Sequence, residues 1–256
     1  MDGGSIPPSS TIDVLHRLAT GFSYCAFMRK LTTTESQFWL EWLNSKNFWS
    51  DGLTGYRISD WEASTWVLHS AFKTPDQSSD LVDPETTMDF IVPESNWERI
   101  RWKDFDRYFD VSISSEFPPG FSRFSRMLWP ENFVLPCEGT LDAISLHALQ
   151  NSIALNTPKG KSTECLAYYS AMATDWEFEE GWLCELTLDE LPEIVNPKEV
   201  RSGTPNNFWP IDKSWMVYTD HDLWGTLISG SQDLINTLKS NSMLECLDWS
   251  WPTKSV

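Results

Sequence analysis

Three clusters combine side-chain types that recognition or catalysis uses. The densest is Asp175-Trp176-Glu177-Phe178-Glu179-Glu180, which interleaves carboxylates with aromatic rings. Acids steer a basic partner, and buried aromatics anchor interface centres. Asp175, Trp176, Glu177, Phe178 and Glu179 are therefore the expected partner contacts, with Asp220 and Asp222 as second choice. The second cluster, Asp220-His221-Asp222, sets an imidazole between two carboxylates, which raises its basicity where the side chains meet. Successive side chains of an extended segment point to opposite faces, so ordinary turn chemistry is the competing reading. The third runs from Trp97 to Tyr108, where Arg99, Arg101, Lys103 and Arg107 alternate with aromatics. Glu98, Asp104, Asp106 and Asp110 nearly cancel that charge, so local salt bridging outweighs nucleic-acid binding.

Other chemistries lack their residues. No G-x-G-x-x-G, P-loop or G-x-S-x-G string occurs. Ser229-Gly230-Ser231 reads as a strand-to-helix turn. The five cysteines, at 25, 137, 165, 184 and 246, form no C-x-x-C, and the four histidines do not cluster with them. They read as buried apolar residues of a reducing cytoplasm, without disulfides, metal or cofactor. The 15 tryptophans and many acids leave open a sugar-stacking cleft with two carboxylates about 5–10 Å apart, although large core residues explain most tryptophans equally well.

The elements that must position these residues follow from hydrophobic periodicity. Phe22 to Leu31 reads as a strand. A capping box at Thr34-Glu35-Ser36-Gln37 leads into a helix that ends near Asn44 and faces inward with Phe38, Trp39, Trp42 and Leu43. Trp66 to Phe72 reads as one strand, residues 74–95 as a long loop, and residues 117–139 as a connection between halves. Thr140 then caps a helix with Leu141, Ile144, Ala148 and Leu155 on its apolar side. Strands follow at Cys165–Tyr169 and Trp182–Leu186. A hairpin from Trp215–Thr219 to Leu223–Ile228 leads to a helix capped by Ser231, with Leu234, Ile235 and Leu238 inward. Leu244–Trp249 is a last strand. The pattern predicts an α+β fold: mixed, mostly antiparallel sheets with a few packed helices, in one domain or two fused lobes, 1–125 and an acidic 126–256.

The net charge of −18 is uneven. Residues 1–128 carry 12 basic and 18 acidic groups, −6, and residues 129–256 carry 7 and 19, −12. Such a field repels DNA, RNA and anionic bilayers and attracts basic proteins. No apolar run has transmembrane length, and the N-terminus reads as no secretory leader.

Asn206-Asn207-Phe208-Trp209-Pro210, Ser214-Trp215-Met216-Val217-Tyr218-Thr219-Asp220 and Asp222-Leu223-Trp224-Gly225-Thr226, with Trp66-Val67-Leu68-His69, are the most distinctive strings. On them the chain resembles an uncharacterised family of bacterial proteins of roughly the same length, and by analogy of style it is similar to immunity proteins that neutralise toxins. The expected function is an intracellular, immunity- or antitoxin-like inhibitor that occludes a basic partner through an acidic, aromatic surface. The alternatives are a hydrolase with a carboxylate pair in an aromatic cleft, and a structural subunit of a larger assembly.

Overall fold

A computed structural model describes residues 28–45, 60–76, 81–82, 92–107, 129–170, 182–195, 203–220 and 222–248. Its strands are β1 (Arg29–Lys30), β2 (Ala63–Leu68), β3 (Ala71–Lys73), β4 (Leu81–Val82), β5 (Glu98–Ile100), β6 (Trp129–Pro130), β7 (Phe133–Val134), β8 (Glu164–Tyr169), β9 (Trp182–Thr187), β10 (Asn207–Pro210), β11 (Met216–Thr219), β12 (Gly225–Gly230) and β13 (Cys246–Leu247). The α-helices are α1 (Thr33–Ser45), α2 (Ala143–Leu155), α3 (Leu191–Val195) and α4 (Gln232–Ser240).

The principal sheet has eight strands in the order β1-β9-β8-β10-β11-β12-β2-β13. Every neighbouring pair in it is antiparallel. Strand alternation sends side chains to two separate cores. Val67, Cys165, Ala167, Cys184, Phe208, Val217 and Ile228 face a core shared with α2, α3 and α4. Their neighbours Trp66, Leu166, Leu183, Trp209, Met216, Tyr218 and Leu227 face a second core, closed by Leu43, Trp39 and Trp42 of α1. Both faces of the sheet are thus covered, by three helices on one side and by α1 on the other. This is the α+β fold expected from the sequence. A smaller sheet, β5-β3-β7, gathers Ala71, Ile100, Trp102, Phe105, Trp129, Phe133 and Trp224 into a third core.

The expected division at residues 125/126 falls across the large sheet. Strand β2 pairs with β12 along its whole length, from Ala63 opposite Gly230 to Leu68 opposite Gly225, and β13 lies on its other edge.

Four local expectations are corrected. The segment Trp66 to Phe72 is two strands, because the chain leaves the large sheet after Leu68 and enters the small one at Ala71. The cap of α1 is Thr32, not Thr34: its hydroxyl accepts from the Glu35 amide, and the Glu35 carboxylate accepts from the Thr32 amide and hydroxyl at 2.9 and 2.8 Å. The carboxylate also receives Arg29 at 2.7 Å, whereas Gln37 donates instead to Glu41. The cap of α2 is Asp142, not Thr140, since its carboxylate accepts from the Ser145 amide at 3.0 Å. Leu155, expected on the apolar side of α2, is exposed at its end. Ser231 caps α4 as expected, accepting from the Leu234 amide, and Leu234, Ile235 and Leu238 are buried. Of the expected strand from Phe22 to Leu31, residues 22–27 lie outside the described residues.

Candidate functional site

Helix α1 lies on the sheet face formed in part by β10 and β11, and the turn between those strands rises against it. The turn is built from Pro210 to Lys213: the Lys213 amide donates to the Pro210 carbonyl at 2.9 Å, and the Asp212 carboxylate accepts from the Ser214 amide at 3.0 Å. Lys213 has φ +61°, the left-handed residue that often closes a hairpin loop. Its carbonyl accepts from the Trp61 indole at 3.2 Å. Its ammonium sits against three rings of α1, at 5.1 Å from Phe38, 5.1 Å from Trp39 and 4.7 Å from Trp42. These distances fall within cation–π range.

The rings are fixed from beneath. Trp42 packs on the buried Trp209 with centroids 5.4 Å apart. Phe38 and Trp39 meet edge to face at 5.1 Å. Phe38 itself is 61% exposed, although the sequence placed it inward. Glu41 and Asp212, one turn of helix from Phe38 and one residue from Lys213, are exposed as well. The result is a surface patch of aromatic rings that already holds a cation, with carboxylates nearby in the chain.

Of the residues expected to make partner contacts, Asp175, Trp176, Glu177, Phe178 and Glu179 lie outside the described residues. Asp220 and Asp222 are described, and His221 between them is not. The Asp220 carboxylate accepts from the Tyr218 hydroxyl at 2.6 Å and from the Asp222 amide at 2.9 Å, so it ties its own turn together. Asp222 is exposed.

A buried polar network lies where β2 passes into β3. His69 Nδ1 is 2.8 Å from the Cys137 carbonyl, and Nε2 is 3.0 Å from the Thr226 hydroxyl. A carbonyl only accepts, so Nδ1 carries the proton and Nε2 accepts from Thr226. Burial pushes the His69 pKa down to about 4. Ser70 and Ser145 receive Arg99 at 2.7 and 2.9 Å, and the Ser145 hydroxyl donates to Asp142 at 2.7 Å. Serine, histidine and aspartate meet here without forming a nucleophilic triad, because neither nitrogen of His69 reaches a serine. The network joins the link between β2 and β3 to β5, β12 and α2.

Other reactive groups are similarly committed. Glu35 and Glu185 approach one another across Arg29, each 2.7 Å from its guanidinium. Burial pushes the Cys184 and Cys246 thiols up to about 12 and about 11, and raises Cys165 further; protonated thiols are poor nucleophiles. The basic stretch at residues 97–107 is held by hydrogen bonds: the Glu245 carboxylate accepts from the Trp102 and Lys103 amides, and Arg101 donates to the Ser242 carbonyl. Among the described residues no group of three His, Cys, Asp or Glu could hold a metal ion, and no helix is long and apolar enough to cross a membrane.

No protein-family model, curated protein or solved structure matches the chain. The candidate site therefore stands on its geometry. Sequence reasoning placed the rings of α1 on its inward face, assigned them to no site, and missed Lys213. The strand Asn207–Pro210 and the turn after it were not read from the sequence, and nothing local tells which helix that turn will touch.

Proposed function

We propose that the protein is a protein-binding inhibitor of the immunity or antitoxin kind, which occludes a basic protein partner through an acidic, aromatic surface. The observation that carries this reading is the aromatic patch of α1, with Phe38 exposed and Trp39 and Trp42 half-buried, and an ammonium seated on it, in a chain of net charge −18. Interface anchors are typically aromatic side chains surrounded by a charged rim. Long-range attraction of a basic partner speeds encounter, and the rings supply contact once it arrives. Asp175 to Glu179, with Asp220 and Asp222, are proposed as a further acidic contact, and the cytoplasm as the compartment.

The test is affinity purification from the source cell, followed by titration with the purified partner. The expected partner is basic, and its affinity falls by at least about tenfold between 50 and 500 mM salt as screening grows. The double variant Phe38→Ala/Trp39→Ala weakens binding by about 30-fold, the scale of an interface hot spot. An acidic partner, or binding indifferent to salt, refutes the reading.

A further inference from the structure

We infer that Lys213 is an internal occupant of a cation seat, which a lysine side chain of the basic partner takes over when it binds. This inference rests on the protein-binding reading and specifies how its aromatic patch is regulated. Four observations carry it. First, Lys213 stands at a left-handed backbone position, φ +61°. Glycine or asparagine suits that conformation better than a residue with a long side chain. The turn therefore supplies no reason for a lysine. Second, three rings surround the ammonium at 4.7 to 5.1 Å. Third, Lys213 forms no salt bridge among the described residues, so the rings provide its electrostatic partner there. Any ammonium of the same shape can replace it without leaving a carboxylate unpaired. Fourth, Phe38 is 61% exposed, so the seat has an open side.

The consequence is competition. While Lys213 fills the seat, free lysines bind poorly. A partner whose neighbouring basic residues are attracted by the acidic surface displaces it. Exchanging one ammonium for another conserves the cation–π contacts, so selectivity comes from the surrounding charge. An exposed cation–π contact changes an equilibrium by about fivefold, small enough for such displacement.

The experiment uses the full chain and a short oligolysine peptide, with binding read from tryptophan fluorescence at low salt. Lys213→Gly empties the seat and suits the left-handed backbone. Lys161→Gln removes one positive charge from an exposed site elsewhere and controls for net charge. The inference expects Lys213→Gly to bind the peptide about fivefold more tightly than Lys161→Gln does. Adding Phe38→Ala to Lys213→Gly abolishes the gain, and a lysine-acetylated peptide shows none. Thermal melting verifies that each variant is folded; Phe38 is exposed, so its loss leaves the core intact. Equal affinity of Lys213→Gly and Lys161→Gln overturns the inference, as does a gain that survives Phe38→Ala. The two proposals fail separately. A peptide gain without any basic partner in the cell sinks the inhibitor reading alone. Salt-sensitive capture of a basic partner without a peptide gain sinks the seat alone.

Discussion

Lys213 shows how much one residue can owe to partners far away in sequence. Its backbone sits where a Cβ is disfavoured, and its side chain gains from three rings 170 or more positions earlier. The two effects separate by substitution. Lys213→Ala keeps the backbone cost and loses the rings, whereas Lys213→Gly loses both. Urea unfolding should therefore find Lys213→Gly more stable than Lys213→Ala by about 1 kcal/mol; equal stabilities would mean that the turn tolerates this conformation without cost. His69 permits a pH prediction. Its folded pKa, about 4, lies below the ordinary 6.5, so between those values the unfolded chain binds a proton that the folded chain refuses. Its contribution is complete above pH 6.5 and declines as pH falls toward 4. The melting temperature should drop through that window, ahead of the loss from Glu35, whose carboxyl is held at about 2 by the Thr32 amide and by Arg29. His69→Gln should flatten the upper part of that decline. A pH profile unchanged by the substitution would assign the decline to other groups.

At the scale of elements, caps decide where helices start, and two of the three were misplaced by the sequence. Ser231 was legible because Ser-x-x-Leu follows a clear strand end. Asp142 was not, since Thr140 is an equally good cap by type; the choice is made by Arg99 and Ser145, which engage the Asp142 side of the turn. The consequences differ in size. Ser231→Ala should cost about 1 kcal/mol, the loss of one exposed cap. Asp142→Ala should cost about 3 kcal/mol, since it also removes the carboxylate from the buried Arg99–Ser145 network. Denaturant titration of the two variants checks the ratio; similar costs would mean that the network contributes nothing beyond the cap. The strands Glu164–Tyr169 and Trp182–Thr187 were nearly legible as drawn because apolar residues dominate them, with neither Pro nor Gly inside. The break between β2 and β3 was not, because His69-Ser70 interrupts an apolar run only once the tertiary partners of His69 are known. Phe38 was read as inward from helical spacing alone; the surface position follows from how α1 lies on the sheet.

For the whole molecule, the α+β class was legible, while the layering was not. Alternating side chains predict strands with two faces, but the sequence does not say that both faces will be covered. That coverage joins the two expected lobes, since β2, from the first half, pairs with β12, from the second, over six residues. A fragment of residues 126–256 should therefore lack a cooperative thermal transition, measured by circular dichroism, because it leaves β12 without β2 on one edge. A sharp melt for the fragment would establish the acidic half as a unit that folds alone. Charge acts at this scale too: with −12 of the −18 in residues 129–256, a basic partner is drawn toward the molecule before any side chain is touched.

The placement of β2 also sets a timetable. Ala63–Leu68 leaves the ribosome before its neighbours on either side, Gly225–Gly230 and Cys246–Leu247. Until they emerge this strand has both hydrogen-bonding edges open, waiting for segments more than 150 residues downstream. Closing so long a loop is slow, and open edges invite association with other nascent chains. The β12-β2-β13 end of the large sheet thus cannot assemble before Cys246–Leu247 has been synthesised, and the yield of folded protein should depend on what shelters β2 in the interval.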